Sequence, residues 1–93
     1  MKVRFTARAR GHLENIFEYV AREDPAAARE IVAKIENLAS VLRDHRDLGR
    51  PSRNRRVRVL TVPRLPYRVS YEVGRTEIRI LTVRHTSRRP VQS

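Results

Sequence analysis

Residues 67–85 read YRVSYEVGRTEIRILTVRH, and this stretch decides the fold class. Apolar side chains occupy every second position of its first half, at Tyr67, Val69, Tyr71 and Val73. This alternation predicts a β-strand with Arg68, Ser70 and Glu72 on its other face. Gly74-Arg75 predicts a tight turn into a last strand, Glu77–Arg84. Strict alternation would place Ile78 and Ile80 on one face of this strand and Leu81 and Val83 on the other. We therefore expect the strand to be central and buried on both faces.

Two further strands and two helices are predicted upstream of this hairpin. The strands are Lys2–Phe5 and Arg56–Val62, and the segment His45–Asn54 is predicted to be a loop. Apolar residues at three-four spacing predict helices from Ala7 to about Arg22 and from Pro25 to about Arg43, with Thr6 and Asp24 as N-caps. The order strand, helix, helix, three-stranded meander predicts an α+β fold. In it, a helical hairpin packs on one face of an antiparallel-rich sheet.

The composition narrows the classes of protein to which the chain could belong. We expect one domain over residues 1–93, with a basic tail at about 86–93. The chain has no cysteine and only three scattered histidines, so we predict neither disulfides nor a metal site, and nothing suggests a cofactor. No apolar run is long enough to predict a membrane span or a signal segment, and we expect a soluble, cytoplasmic protein.

Positive charge is concentrated in the second half of the chain. Residues 1–49 carry nine basic and eight acidic side chains, whereas residues 50–93 carry twelve arginines and two glutamates. The net charge therefore rises from +1 to +10 between the halves. A GC-rich coding sequence would favour arginine throughout, but it would not segregate the charge. We expect one face or end of the molecule to attract an acidic or polyanionic partner.

Arginines on the predicted strands are the first candidates for binding such a partner. We expect most of them on the sheet face away from the helices, where their mutual repulsion favours an anionic ligand. They are Arg56, Arg58, Arg68 and Arg79. His85, at the end of the last strand beside Arg84, is a candidate base or hydrogen-bond partner. No Ser–His–Asp pattern, glycine-rich phosphate loop or carboxylate pair accompanies them.

The sequence resembles the RelE/ParE superfamily of toxins from bacterial type II toxin–antitoxin modules. Three segments carry the resemblance, together with the order of elements: residues 48–51 (LGRP), 65–71 (LPYRVSY) and 80–85 (ILTVRH). In this superfamily the RelE-like branch cleaves messenger RNA on the ribosome. If this chain were such a ribonuclease, the resemblance would assign its chemistry to Arg68, His85 and Arg84. Ser52 and Thr86, however, stand where some members carry the proton-transferring glutamate and tyrosine.

The ParE-like branch is implied to inhibit DNA gyrase by binding it, without catalytic residues, and an H-x-x-R ending such as His85–Arg88 is frequent there. We therefore predict a ParE-like toxin rather than an enzyme. Its predicted target contacts are Arg56, Arg58, Arg68, Arg84, His85, Arg88 and Arg89. A cognate antitoxin is predicted to contact Leu13, Phe17, Ile31, Ile35 and Arg79. The alternatives are the RelE-like endoribonuclease and a basic nucleic-acid-binding module without a toxic role.

Overall fold

The computed structural model describes residues 1–86, and the predicted tail contacts Arg88 and Arg89 lie outside the described residues. Two helices and five strands follow one another along the chain. They are β1 (Lys2–Phe5), α1 (Ala7–Ala21), α2 (Pro25–Asp44), β2 (Arg50–Pro51), β3 (Val57–Thr61), β4 (Tyr67–Val73) and β5 (Glu77–His85). All predicted elements are present within a few residues of their expected bounds. The two-residue strand β2 was not predicted, because it lies in the charged segment interpreted as a loop.

The five strands form one sheet in the order β1-β5-β4-β3-β2. The pairings among β2, β3, β4 and β5 are antiparallel, and β1 pairs with β5 in parallel. Strand β1 ends at Phe5, opposite Ile80, so the second half of β5 has no neighbouring strand on that side. Helix α1 begins there, which places its first turns beside the exposed edge of β5.

Side-chain caps define both helix starts, as predicted. The Thr6 hydroxyl accepts a hydrogen bond from the Ala9 N–H (3.2 Å) and donates one to the Ile80 carbonyl (3.0 Å), which attaches the start of α1 to the sheet. The Asp24 carboxylate accepts from the Ala27 N–H (3.0 Å), and Pro25 occupies the first turn of α2. An exposed cap of this kind typically stabilises a helix by about 1 kcal/mol.

The helical hairpin buries one face of the sheet and leaves the other uncovered. Apolar residues of α1, α2, β4 and β5 form a single core, whose largest fully buried members are Tyr71, Ile35, Leu42, Ile78, Ile80, Val62 and Val69. No helix between residues 1 and 86 is long and apolar enough to cross a membrane.

The prediction that β5 is buried on both faces is wrong, although the strand is internal. Tyr71 pairs with Ile80 and Ser70 pairs with Thr82, so Leu81 is an extra residue, a β-bulge. A bulge shifts the alternation by one position. As a result Ile78, Ile80 and Val83 all face the helices, and Thr82 and Arg84 lie on the uncovered face.

Arg58 departs from the expectation that the strand arginines lie on the sheet face away from the helices. Arg58 lies opposite the buried Tyr71 on the helix-facing side, while Val57 and Val59 lie opposite Glu72 and Ser70 on the uncovered face. The Arg58 guanidinium donates to the Gly49 carbonyl (2.6 Å) and lies 3.5 Å from the Asp47 carboxylate. These partners compensate for placing an arginine on the helix-facing side, where it holds the loop before β2.

Candidate functional site

A cleft of about 640 Å³ opens between α1 and the second half of β5. We call it the α1–β5 cleft. It is lined by His12, Asn15, Ile16 and Tyr19 of α1 and by residues of three strands and the segment after β5: Val59, Tyr67, Arg68, Ser70, Thr82, Val83, Arg84, His85 and Thr86. The cleft exists because β1 ends before β5 does, so a helix instead of a strand borders this part of the sheet.

Two arginines on the uncovered sheet face supply the positive charge of the α1–β5 cleft. Arg68 on β4 and Arg84 on β5 are direct cross-strand neighbours, and both are exposed. Neither forms an ion pair with a carboxylate in the described part of the chain. Like charges placed directly opposite each other destabilise a strand pair. An anion bound between them would relieve that repulsion, and two guanidinium groups suit a carboxylate or a phosphate.

Hydroxyl groups lie next to this arginine pair. Ser70 and Thr82 form the adjacent cross-strand pair, and their side-chain oxygens are hydrogen-bonded at 2.5 Å. Together with Arg68 and Arg84, they provide a cationic and hydrogen-bonding wall. The opposite wall, on α1, combines Ile16 and Tyr19 with the polar side chains of His12 and Asn15, and Tyr19 is more than half exposed. The cleft therefore suits a ligand that combines negative charge with an apolar group.

His12 joins α1 to the open edge of β5. Its Nδ1 accepts a hydrogen bond from the Val83 N–H (3.1 Å), which would otherwise have no strand partner on that side. Partial burial lowers the pKa of His12, and the nearby Arg84 and Arg8 lower it further. The accepting Nδ1 and the lowered pKa both indicate a neutral ring with its hydrogen on Nε2.

His85 lies within the α1–β5 cleft at the end of β5. Its ring contacts Tyr67 edge to face, with centroids 5.4 Å apart and planes at 86°. This contact sets the position of the ring beside Arg84 and Thr86. The cleft thus brings together Arg68, Arg84 and His85, which were singled out from the sequence.

Sequence reasoning missed several residues of the cleft, among them His12 and Tyr19 on α1. With Ile16 they recur at i, i+4 and i+7, so they form one stripe along α1. That stripe is adjacent to the one formed by Leu13 and Phe17. The spacing of these residues is visible in the sequence. Which of the two stripes faces the sheet edge, however, depends on where β1 ends.

Other predicted contacts lie away from the α1–β5 cleft. Arg56 lies at the opposite end of the sheet, in the depression it shares with the β4–β5 turn, and Arg58 holds the loop before β2. Ser52, beside the start of β3, is also at that far end, since its N–H donates to the Val57 carbonyl. Thr86, by contrast, lines the cleft.

The predicted antitoxin contacts do not form one surface. Leu13 and Ile35 are core residues, 9% and 1% exposed, and are not available for contact in this structure. Arg79 is on the uncovered sheet face, in an ion pair with Glu72. Phe17, which is 36% exposed, and the partly buried Ile31 lie on the helical hairpin and remain accessible.

No group of histidine, aspartate or glutamate side chains within residues 1–86 is arranged to hold a metal ion. The α1–β5 cleft also contains no carboxylate or lysine from this described part. The cleft therefore presents guanidinium, hydroxyl, imidazole and apolar groups, a set that suits an anionic ligand.

Comparison with known proteins identifies the family. Residues 3–90 match the family model of the ParE toxin of the type II toxin–antitoxin system parDE. Putative toxin Y4kP of Sinorhizobium fredii (strain NBRC 101917 / NGR234) is 36% identical over 84 residues, which cover 90% of this chain and 86% of that protein. A solved chain of the chromosomal ParDE TA system from P. aeruginosa superposes with a TM-score of 0.82 at 30% identity, covering 94% of this chain and 97% of that one. The chain therefore belongs to the ParE toxin family of type II toxin–antitoxin systems.

Proposed function

We propose that this ParE-family toxin acts in the cytoplasm by binding DNA gyrase through the α1–β5 cleft, without catalysis, and that a cognate antitoxin neutralises it. The observation that carries the proposal is the pairing of Arg68 with Arg84 opposite a helix wall that includes Ile16 and Tyr19. Such a wall and two unpaired guanidinium groups favour recognition of an acidic, partly apolar protein surface. His85 lies beside the pair, and the tail with Arg88 and Arg89 follows it in sequence.

The antitoxin is proposed to bind the helical hairpin with an amphipathic, acidic segment. Phe17 and Ile31 offer apolar contacts there, and the net charge of +11 favours an acidic partner. An amphipathic helix laid into a groove is one established mode of peptide recognition. Phe17→Asp is expected to weaken antitoxin binding while leaving toxicity intact, since Phe17 does not line the cleft.

The direct test is to produce the toxin alone in a bacterium and to assay purified gyrase. Filamentation with DNA-damage signalling, and accumulation of cleaved DNA on gyrase in vitro, would support the proposal. The double variant Arg68→Ala/Arg84→Ala should require about tenfold more protein for the same inhibition. The control Arg10→Ala/Arg29→Ala removes equal charge from the helices and should inhibit normally.

The tail is tested separately, because Arg88 and Arg89 are sequence-based proposals only. Truncation after His85, or replacement of both arginines by alanine, should reduce gyrase trapping with little change in Tm. Retained toxicity at equal protein level would assign target binding to the strand arginines instead.

A RelE-like ribonuclease is the second candidate, because Arg68, Arg84 and His85 lie together in one cleft. We favour the gyrase-binding function, since the described lining has His12 and His85 but no glutamate or lysine to fill the role that the resemblance assigns to those residues in RelE-like ribonucleases. Primer extension on a translated message distinguishes the two. If the message is cleaved in register with codons, and if this cleavage is lost in Arg68→Ala or His85→Ala, the protein would be assigned as a ribonuclease.

A further inference from the structure

The end of the sheet farthest from the α1–β5 cleft carries a second concentration of arginine. Arg53, Arg55 and Arg56 lie in the short segment between β2 and β3, and Arg75 lies in the turn between β4 and β5. We call these four residues the turn arginines. Arg56 and Arg75 line one shallow depression of about 480 Å³. The two chain segments meet because the start of β3 and the end of β4 are adjacent in the sheet.

The turn arginines are exposed, and none has a carboxylate partner within residues 1–86. The two glutamates at this end are already engaged. Glu72 pairs with Arg79, and Glu77 accepts from Arg4 at 2.9 Å, a hydrogen bond that lowers the pKa of Glu77. The turn arginines therefore form a local field of four uncompensated positive charges.

The segment bearing three of these arginines is rigidly hydrogen-bonded. The Ser52 hydroxyl donates to the Asn54 carbonyl (2.9 Å), and the Asn54 side-chain oxygen accepts from the Arg56 N–H (3.0 Å). The Val57 N–H donates to the Asn54 carbonyl (2.9 Å), which closes the turn. The guanidinium groups are thus displayed on a fixed backbone, which lowers the entropy lost on binding.

The chemistry of this end favours nucleic acid over protein as the partner. Protein interfaces have an apolar or aromatic centre, whereas Val73 is the one apolar side chain in the described lining of the depression, beside three arginines and a glutamate. Protein–DNA interfaces are polar and strongly positive. The segment 52–56 and the turn 74–76 also lack the aromatic residues on which unpaired bases stack in single-strand binders.

We propose that the turn arginines bind the phosphodiester backbone of a nucleic-acid duplex, independently of its sequence. Contacts to phosphate carry no base information, so affinity should depend on salt and not on sequence. Strand β4 begins at the α1–β5 cleft with Tyr67 and ends at the depression with Val73, so the two sites lie at opposite ends of that strand. The proposal does not depend on which enzyme the toxin inhibits.

The test is binding of the purified full-length chain to a fluorescent DNA duplex of about 20 base pairs, measured by anisotropy at several salt concentrations. Four phosphate contacts predict an affinity loss of about 100-fold between 50 and 200 mM salt. Replacing all four turn arginines by glutamine should abolish most of the dependence of duplex affinity on salt concentration. A duplex of unrelated sequence, or of RNA, should bind with similar affinity.

Two controls separate the site from the general charge of the chain. Arg10, Arg22, Arg29 and Arg43, which are exposed on or beside the helices, can be replaced by glutamine to remove the same charge. That variant, and the double variant Arg68→Gln/Arg84→Gln, should retain duplex binding. Equal weakening by the helix variant and the turn variant would overturn the proposal, as would tighter binding to a single strand or to polyglutamate than to the duplex. Because this binding assay contains neither gyrase nor antitoxin, a lack of duplex binding would leave the proposed gyrase-binding function intact.

Discussion

At the scale of single residues, Gly49 and Tyr71 lock the loop before β2 onto the sheet. The Tyr71 hydroxyl accepts from the Gly49 N–H and donates to the Arg46 carbonyl, both at 2.8 Å. A Cβ on Gly49 would lie 2.9 Å from the Tyr71 ring and from the Val59 carbonyl. Because these neighbours are a buried ring and backbone, neither can move away easily. Within the LGRP segment noted in the sequence, Gly49 is therefore required by packing.

Gly49→Ala is expected to lower the free energy of unfolding by about 1–3 kcal/mol, the usual cost of overpacking. Gly11→Ala is the matched control, since no atom lies within 4 Å of its added Cβ in the middle of α1. That change should stabilise by about 0.5–1 kcal/mol, because alanine favours helix more than glycine does. Urea denaturation of both variants measures the difference, and equal effects would contradict the proposed lock.

His12 should make stability depend on pH. The fold lowers the pKa of His12, so the unfolded chain binds more protons in the interval below about pH 6.5. The neutral His12 ring therefore contributes fully to the stability of the folded state above about pH 6.5. This contribution is lost as the pH falls towards the folded-state pKa of His12. His12→Asn keeps an acceptor for the Val83 N–H without titrating. The urea midpoint of the His12→Asn variant should vary less than that of the unmodified chain as the pH falls below about 6.5. Parallel plots of midpoint against pH for the two chains would exclude His12 as the source of the pH dependence.

At the scale of elements, the β4–β5 pair combines a structural role with the proposed target-binding role. Its core-facing residues build the centre of the fold, while its uncovered face sets Arg68 opposite Arg84 without a carboxylate between them. The bulge at Leu81 makes this arrangement possible, because it turns Val83 inward and Arg84 outward. The arginine pair on which the proposed binding rests therefore lowers the stability of the strand pair.

Arg68→Gln should therefore raise the free energy of unfolding at low ionic strength, by about 0.2–1 kcal/mol. The reason is removal of the repulsion between cross-strand guanidinium groups. Arg68→Lys, which keeps the charge, is the control and should show no such gain. Denaturation at about 1 M salt, where the screening length is only about 3 Å, should remove the difference between the two variants. A gain that persists in high salt would indicate a packing effect instead.

At the scale of the whole molecule, which has a net charge of +11, exposed arginines lie at both ends of the sheet. The α1–β5 cleft is at one end and the turn arginines are at the other, and the described ion pairs leave both uncompensated. Such a distribution destabilises the compact state through self-repulsion and attracts anionic partners.

Raising the salt concentration from about 0.01 to about 0.15 M is expected to raise Tm by several degrees, because screening weakens this self-repulsion. A change of 1 kcal/mol moves the Tm of a chain of this size by roughly 4–8 °C. With the four turn arginines replaced by glutamine, the net charge falls from +11 to +7 (11 − 4 = 7), and the rise should be smaller. Differential scanning calorimetry measures both chains. A Tm that does not change with salt would contradict the repulsion argument.

The sequence by itself determined the α+β class, the order of elements, both helix caps and the face of β4 that enters the core. These features depend on local periodicity and capping, which neighbouring residues specify. It also singled out Arg68, Arg84 and His85, because charge and strand position are both readable from the chain.

Only the tertiary structure decided how those residues are combined. The bulge at Leu81 exchanged the faces on which the residues in the second half of β5 lie. The ion pair with Asp47 held Arg58 on the helix-facing side of β3. The end of β1 opposite Ile80 placed His12 and Tyr19 in the α1–β5 cleft. Each of these outcomes depends on contacts between residues distant in sequence, and local periodicity carries no information about them.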